Sequence, residues 1–259
     1  MTDLTNWADY LLSAERAHSA TAPITDSVPG LSADEGYAIQ RLIIDAKVAS
    51  GERVVGAKAG LTSRAKQLTM HVDQPIFGVL TSSMMISTDQ PLICSDLIHP
   101  RVEPEIVFIL GEDLNAPQLS GYDVLDATAW VTAGLEVIDS RYADFRFTHA
   151  DVVADNTSAS RFILGTSLRR PEEIPDLALV GCNLSVNGTV VTTAAGGAIL
   201  GDPAGTVALL ANWLHACGSP LRKGDVVLSG GMTNAYPIAP GGHVTSSLGR
   251  IGSVTIRAI

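Results

Sequence analysis

The 259-residue chain has no uninterrupted apolar run of membrane-spanning length, and its first twenty residues, MTDLTNWADYLLSAERAHSA, have no basic segment leading into an apolar one. A membrane span and a secretory leader are therefore not expected, and a cytoplasmic location is. Cysteine is scarce: Cys94, Cys182 and Cys217 are odd in number, far apart and in no C-x-x-C pair. That excludes a disulfide framework or a thiolate metal site and leaves inert thiols. Basic residues are also few, with 17 Lys and Arg against 27 Asp and Glu and a formal net charge of −10. Without a basic stripe there is no expected nucleic-acid partner. An anionic substrate would need local cations or a metal to offset the global field. His71, His99, His149, His215 and His243 show no mutual i,i+3 or i,i+4 spacing, so a histidine-rich zinc site is not indicated. GGAILG and SGGMTNAYPIAPGG are glycine-rich, yet neither has dinucleotide or P-loop spacing between a strand and a helix, and nucleotide binding is discounted.

Against these absences, 46% of the residues are hydrophobic and 17% charged, a globular composition long enough for one large domain with a small appendage. Apolar residues at helical spacing predict a helix from Thr5 to about Ala17. A second helix is expected over SADEGYAIQRLIIDAKVASG, with Ser32 and Glu35 forming a capping box and Gly51 as the stop. Residues 1–52 thus read as a mainly helical N-terminal region, and 53–259 as the catalytic domain. In the latter, RVVGAKAGLT, PIFGVLTSSMM, PLICSDLI, EIVFIL, LALVGCNLSVNGTVV, GDVVLSGG and GSVTIRAI are short, β-rich and bounded by turn residues. Asn187-Gly188 is a strong hairpin signal. Helices are expected only near GYDVLDATAWVTAGLEV and PAGTVALLANWLHACG. The class is α+β, dominated by a mixed, curved sheet.

The chemistry concentrates in three stretches. In RVEPEIVFIL, Glu103 and Glu105 stand two apart on a strand, so both carboxylates face one side about 7 Å apart, and Pro104 suggests a strand start or edge. Taken alone, such a pair is more often a solvated strand end. Glu136 in GLEVIDSR, however, lies among Leu135, Val137 and Ile138, where burial demands a partner or a cation. Three carboxylates from two segments form a hard-oxygen set suited to Mg²⁺ or Mn²⁺. Lys58, in the Gly/Ala-rich GAKAGLTSRAK, would there have its ammonium destabilised or hold an anion, whereas Lys66 sits in a solvent-prone helical segment. The polar run VVADNTSASRF reads equally as a capped turn.

Taken in order, GAKAGLTSRAK, DQPIFGVL, HPRVEPEIVFIL, GLEVIDSRYADFRF, VVADNTSASRFILG and GDVVLSGGMTNAYPIAPGG resemble the 2-oxo-3-hexenedioate (4-oxalocrotonate) decarboxylases and the related 2-keto-4-pentenoate hydratases of the fumarylacetoacetate hydrolase superfamily. The resemblance runs from about Asp34 to the C-terminus. It implies a mixed β-sandwich or β-roll, and a divalent cation, usually Mg²⁺, on Glu103, Glu105 and Glu136. Such proteins commonly form homo-oligomers, and the decarboxylase commonly works in complex with a sister hydratase. Ile76 stands where the hydratases usually carry an acid, and RYADFRF and S-R-F also look more like the decarboxylases. The implied activity is decarboxylation of a 2-oxo dicarboxylate in aromatic-compound catabolism, with hydration of 2-hydroxypenta-2,4-dienoate, acylpyruvate hydrolysis or a non-catalytic partner role as alternatives. Ala57 and Ala59 flank Lys58 where bulkier residues are common in that family. Under this reading Lys58 is the catalytic cation or proton donor, Ser158 with the amides of Leu61 and Thr62 holds the C1 carboxylate, and Ser160 and Arg161 are candidates for the distal one.

Overall fold

The computed structural model describes residues 3–69, 72 and 74–259, so His71 and Asp73 lie outside the described residues. Helix α1 (Leu4–Ala17) starts at Asp3, whose carboxylate accepts from the amides of Thr5 and Asn6. A short α2 (Ile24–Ser27) leads to α3 (Ala33–Ala49), where the expected Ser32–Glu35 capping box forms. Leu11 of α1 and Ile39 and Ile43 of α3 pack with Tyr142, Ala150 and Ala154 from the middle of the chain. The buried Gln40 amide donates to Phe77 O at 2.9 Å and Val153 O at 3.2 Å, tying the helical region to the sheet behind it.

From Val54 the chain turns to strands: β1 (Val54–Gly60), α4 (Arg64–Thr69), β2 (Ile76–Thr81), β3 (Met85–Ile86), β4 (Arg101–Leu110), α5 (Gly121–Ala127), β5 (Thr128–Ile138), α6 (His149–Ala154) and β6 (Ala159–Leu164). There follow β7 (Gly181–Val186), β8 (Thr189–Ala195), α7 (Pro203–Ala216), β9 (Val226–Leu228), β10 (Tyr236–Pro237), β11 (His243–Leu248) and β12 (Gly252–Arg257). Among the described residues these form an eight-stranded sheet in the order β2-β1-β9-β4-β5-β6-β3, with β10 also on β4, and a four-stranded sheet β12-β11-β7-β8. The large sheet is mixed, since β1 runs parallel to β9 and β3 to β6. Val131, Ala133, Leu135 and Val137 of β5 share one core with Val244, Leu248, Val254 and Ile256 of the small sheet and with Val207 and Leu210 of α7. The architecture is α+β, two sheets sharing a core with helices outside.

Three expectations are corrected. GYDVLDATAWVTAGLEV is helical only to Ala127, after which β-branched residues and burial on both faces give the eleven-residue β5. PLICSDLI is a single 3₁₀ turn at Cys94–Asp96, joined to the residues after β12 by a bridge between Leu92 and Ala258 and by the Cys94 amide donating to Ile259 O at 2.9 Å. Pro104 is not at a sheet edge, because β4 has β5 on one side and β9 and β10 on the other. It is accommodated because β9 pairs only with Val107–Ile109 and β10 only with Arg101 and Val102, leaving the ladder open between them. The hairpin at Asn187-Gly188 forms as expected, Asn187 and Gly188 both having positive φ between Val186 and Thr189.

Candidate active site

That opening in the ladder frames the three glutamates. The register of β4 on β5 is regular from Arg101 to Ile109, so Glu103 and Glu105 project from one face and Glu136 lies directly across from Glu103. The alternate residues Ile106 and Phe108 belong to the main core, and this anchors the strand. Glu103, Glu105 and Glu136 are 7%, 0% and 1% exposed, and one carboxylate oxygen from each lies within 4.8 Å of the others.

The segment between β9 and β10 crosses over this cluster. The amides of Ser229 and Met232 donate to Ile106 O at 3.2 Å and Pro104 O at 2.9 Å, completing what the interrupted ladder leaves open. Between them, Gly230 N–H donates to Glu105 Oε2 at 2.7 Å. Gly230 has φ +119, and a Cβ there would lie 2.2 Å from Thr62 Oγ1; a Cβ on Gly231 would lie 2.4 Å from Glu103 Oε2. Only glycine lets backbone approach the carboxylates this closely.

Lys58 enters from β1, 3% exposed, with its Nζ 3.0 Å from Glu136 Oε2 and donating to Thr157 O at 3.3 Å. The approach to Glu136 is that of an ion pair rather than an aligned hydrogen bond. Both Glu136 oxygens and Glu105 Oε1 are buried without a hydrogen-bond donor among the described residues. Burial above all, then the charge of Glu136, pushes the Glu105 carboxyl well above the usual range despite Lys58 and the Gly230 amide. Burial likewise raises Glu136, Lys58 opposing it and Glu103 adding to it. Among the described residues the three carboxylates face a single ammonium, Lys58, which approaches one of the orphaned oxygens and leaves Glu136 Oε1 and Glu105 Oε1 without a donor. Oxygen-only donors in this number fit Mg²⁺ or Mn²⁺.

The carbonyl that holds Lys58 belongs to an unusual turn. Asn156, Thr157 and Ser158 all have left-handed backbone, with φ of 48°, 55° and 58°. For β-branched Thr157 this conformation is costly and persists only where surrounding contacts over-determine it. The contacts are at hand. The Asn156 side chain pairs with both Val79 N and Val79 O, and Arg141 donates to Asp139 O and Ala159 O on either side while its Nε and Nη2 bind Asp155. Burial lifts the Asp155 carboxyl to about 6 against the pull of Arg141. Burial would lower the Arg141 guanidinium, but Asp155 and Glu15 more than compensate and raise it, so the pair is ionised at neutral pH.

The remaining candidates divide. Ile76 is paired with Gly60; a Cβ on Gly60 would lie 3.1 Å from Ile76 Cγ1 and 3.7 Å from Lys58 Nζ, so the isoleucine stands beside the ammonium. Thr62 packs on Gly230, and Leu61, at φ 53°, packs in the small cluster around Ile76. Ser158 is instead committed to Asp155, its hydroxyl donating at 3.0 Å. Arg161 pairs with Val137 and so emerges on the face opposite Glu136, in a cavity of about 310 Å³ with Ile86, Gln90 and Asp96, and its guanidinium takes up Ser160 Oγ at 3.3 Å. The register thus does not bring Arg161 to the glutamates, correcting its expected place at a distal carboxylate. Lys66 falls on α4, its side chain outside the described residues. Another cavity of about 300 Å³, lined by Tyr37, Ala57, Val79, Trp213 and Cys217, lies on the other face of β1 from Lys58. The sequence reading missed Gly230, Gly231 and Arg141, and took Thr157 only as part of a polar turn. The GG of SGGMTN was the visible signal for the first two.

A fold of this kind is found among known proteins. Residues 43–258 match the fumarylacetoacetate (FAA) hydrolase C-terminal family, and the chain belongs to that family. It is 39% identical to a 2-keto-4-pentenoate hydratase of Burkholderia vietnamiensis over 253 residues, covering 97% of this chain and 95% of that one. To a 4-oxalocrotonate decarboxylase of Pseudomonas sp. strain CF600 it is 38% identical over 252 residues, with the same coverage. The solved 4-oxalocrotonate decarboxylase of Pseudomonas putida G7, complexed with magnesium and adipate, superposes with a TM-score of 0.96 at 38% identity, covering 100% of this chain and 99% of that one. Among the described residues no helix is long and apolar enough to cross a membrane.

Proposed function

We propose that this chain is a Mg²⁺-dependent decarboxylase that converts 2-oxo-3-hexenedioate to 2-hydroxypenta-2,4-dienoate. The observation that carries the reading is the buried triad of Glu103, Glu105 and Glu136 with its orphaned oxygens beside Lys58. The magnesium-bound relative at 38% identity supports it. The three glutamates would hold the ion, with Mn²⁺ as a substitute. When bound, a divalent cation supplies Lewis-acid chemistry, accepting the carboxylate and keto oxygens of a 2-oxo acid.

The protein's own groups account for the rest. In the substrate, the C5–C6 bond breaks as CO₂ leaves; its electron pair forms C4=C5, the C3=C4 pair moves to C2=C3, and charge develops on the C2 oxygen. Lys58, held by Thr157 O and drawn to Glu136, is positioned to stabilise that oxygen electrostatically and to give it the proton that completes the dienol. Preorganisation matters here because an ammonium fixed by buried partners need not reorient as charge develops. Ile76, apolar and 2% exposed beside the lysine, keeps water from the conjugated chain. Thr62 supports Gly230, which steadies Glu105.

Hydration of 2-hydroxypenta-2,4-dienoate is the second reading, favoured by the 39% identity to a hydratase. Ile76 argues for the decarboxylase, since water addition calls for a group that activates water where this chain has a hydrocarbon. A homo-oligomer, a complex with a sister hydratase and a cytoplasmic location belong to the same proposal. The test is to offer the purified protein with Mg²⁺ each substrate separately, following CO₂ release and loss of diene absorbance. CO₂ from 2-oxo-3-hexenedioate without consumption of the dienol is the expected result. Efficient hydration with no CO₂ would overturn the reaction in favour of the hydratase.

A further inference from the structure

We propose that Arg101, stacked on Phe145, recognises a second carboxylate at the far end of the substrate, so that the site selects dicarboxylates over mono-acids of equal length. This rests on the glutamate triad being the end that takes the 2-oxo acid. Strand parity places the residue: β4 is regular from Arg101 onward, so Arg101 projects from the same face as Glu103 and Glu105, two residues before the first of them. Two residues along a strand span about 7 Å. In an extended six-carbon diacid, five bonds of about 1.5 Å separate the carboxyl carbons by about 6 Å, the same order as the offset of Arg101 from Glu103 along the strand.

The guanidinium carbon lies 4.0 Å from the centroid of the Phe145 ring. Stacking of this kind fixes the plane of the group while leaving its N–H edge for an in-plane acceptor such as a carboxylate. Phe145 also packs against His99, with ring centroids 4.6 Å apart. His99 is fixed in turn, its Nε2 2.8 Å from Ser140 O and its amide donating to Asp139 at 2.7 Å. Asp144 and Phe145 both have left-handed backbone, φ 58° and 54°, which a bulky aromatic residue rarely adopts. The strained turn delivers the ring beneath the arginine.

Charge accounting points the same way. In this acidic protein Arg141, Arg146 and Arg222 each pair with an aspartate. Arg101 pairs with no carboxylate among the described residues, although it is partly buried and shares a strand face with Glu103 and Glu105. Arg161, the other arginine considered for this role, faces the opposite side of the sheet. A cation on the carboxylate that is lost as CO₂ stabilises the bound substrate at least as much as the transition state, so Arg101 would lower KM without raising kcat.

The test compares 2-oxoadipate with 2-oxohexanoate, which share the 2-oxo acid end and differ in the distal carboxylate, by calorimetry on the Mg²⁺-loaded protein. Arg101→Gln should weaken 2-oxoadipate by about tenfold or more, the usual loss for a charge-assisted hydrogen bond, and leave 2-oxohexanoate unchanged. Arg101→Lys should recover part of the loss. With the reactive dicarboxylate, Arg101→Gln should raise KM and leave kcat nearly unaltered. Equal weakening of both analogues would show a merely structural arginine, and no weakening of either would likewise overturn the assignment. If the wild-type protein binds neither analogue, the reading of the glutamate site fails first and this assignment with it.

Discussion

Arg141 with Asp155 and Lys58 with Glu136 are both cation–carboxylate pairs buried to 4% exposure or less, and the two are furnished in opposite ways. Around Arg141 the polar groups are supplied: the guanidinium reaches two carbonyls besides Asp155, and Asp155 also accepts from Ser158, Ser140 and the Arg141 amide. Around Glu136 they are not; neither of its oxygens has a hydrogen-bond donor among the described residues, and Glu105 beside it has one only at Oε2, from the Gly230 amide. A buried pair with every lone pair occupied holds a fold together, whereas one left deficient is suited to take a ligand.

The sharpest way to break the symmetry is to remove one charge from each pair. Glu136→Gln keeps the volume but removes a charge the site needs, so Mg²⁺-dependent turnover should disappear. The metal-free protein should melt no lower, because a repelling carboxylate has been relieved. Arg141→Met should do the reverse: a loss of about 3–5 kcal/mol in denaturant unfolding, since Asp155 is left buried and unpaired. A stable Arg141→Met protein, or a collapsed Glu136→Gln one, would erase the distinction.

Lys58→Ala should lower kcat by about 10²–10⁴-fold, the range for losing a proton donor, with a smaller effect on Mg²⁺ binding measured by titration. The exposed Lys223→Ala is the control and should be silent. The gentlest probe is pH. Glu105 and Glu136 have folded-state values raised by burial above their ordinary 4.5. Their contribution to stability is therefore present below that value and lost as the pH climbs through the raised ones. Asp155, raised to about 6, adds a loss of the same sign. Metal-free melting temperature should fall on going from pH 5 to neutral, and the increment given by Mg²⁺ should grow over the same interval, because the ion binds the ionised carboxylates. An increment independent of pH would mean that the glutamates do not exchange protons for metal.

Much of this contrast was legible in the sequence where it depends on strand parity. Two glutamates at i and i+2 before an apolar run can only share a face, and Glu136 among hydrophobic neighbours announces a buried charge. The capping box at Ser32 and the turn at Asn187-Gly188 are local and were equally readable. Cross-strand register was not. Nothing in S-R-F says that Arg161 points away from Glu136, because its face follows from a pairing with Val137 more than twenty residues earlier. Nor does TAWVTAGLEV reveal that it extends as β5, since small and apolar residues serve a helix as well as a strand and sheet pairing decides between them. Arg141 was passed over because its partners Asp155 and Ala159 lie 14 and 18 residues further on, beyond the reach of a local pattern.

The left-handed turn at Asn156–Ser158 also divides the site by the sequence range of its contacts. Glu103 and Glu136 sit on successive strands and meet when β4 pairs with β5. Thr157 O reaches Lys58 across 99 residues, on a backbone that Arg141, Asp155 and Val79 hold and that the isolated segment disfavours. The carboxylates are thus gathered by strand pairing of shorter range, whereas the lysine is set by a contact of much longer range. Loop-closure entropy therefore predicts that a partly folded chain gathers its acidic half before the group that makes it reactive.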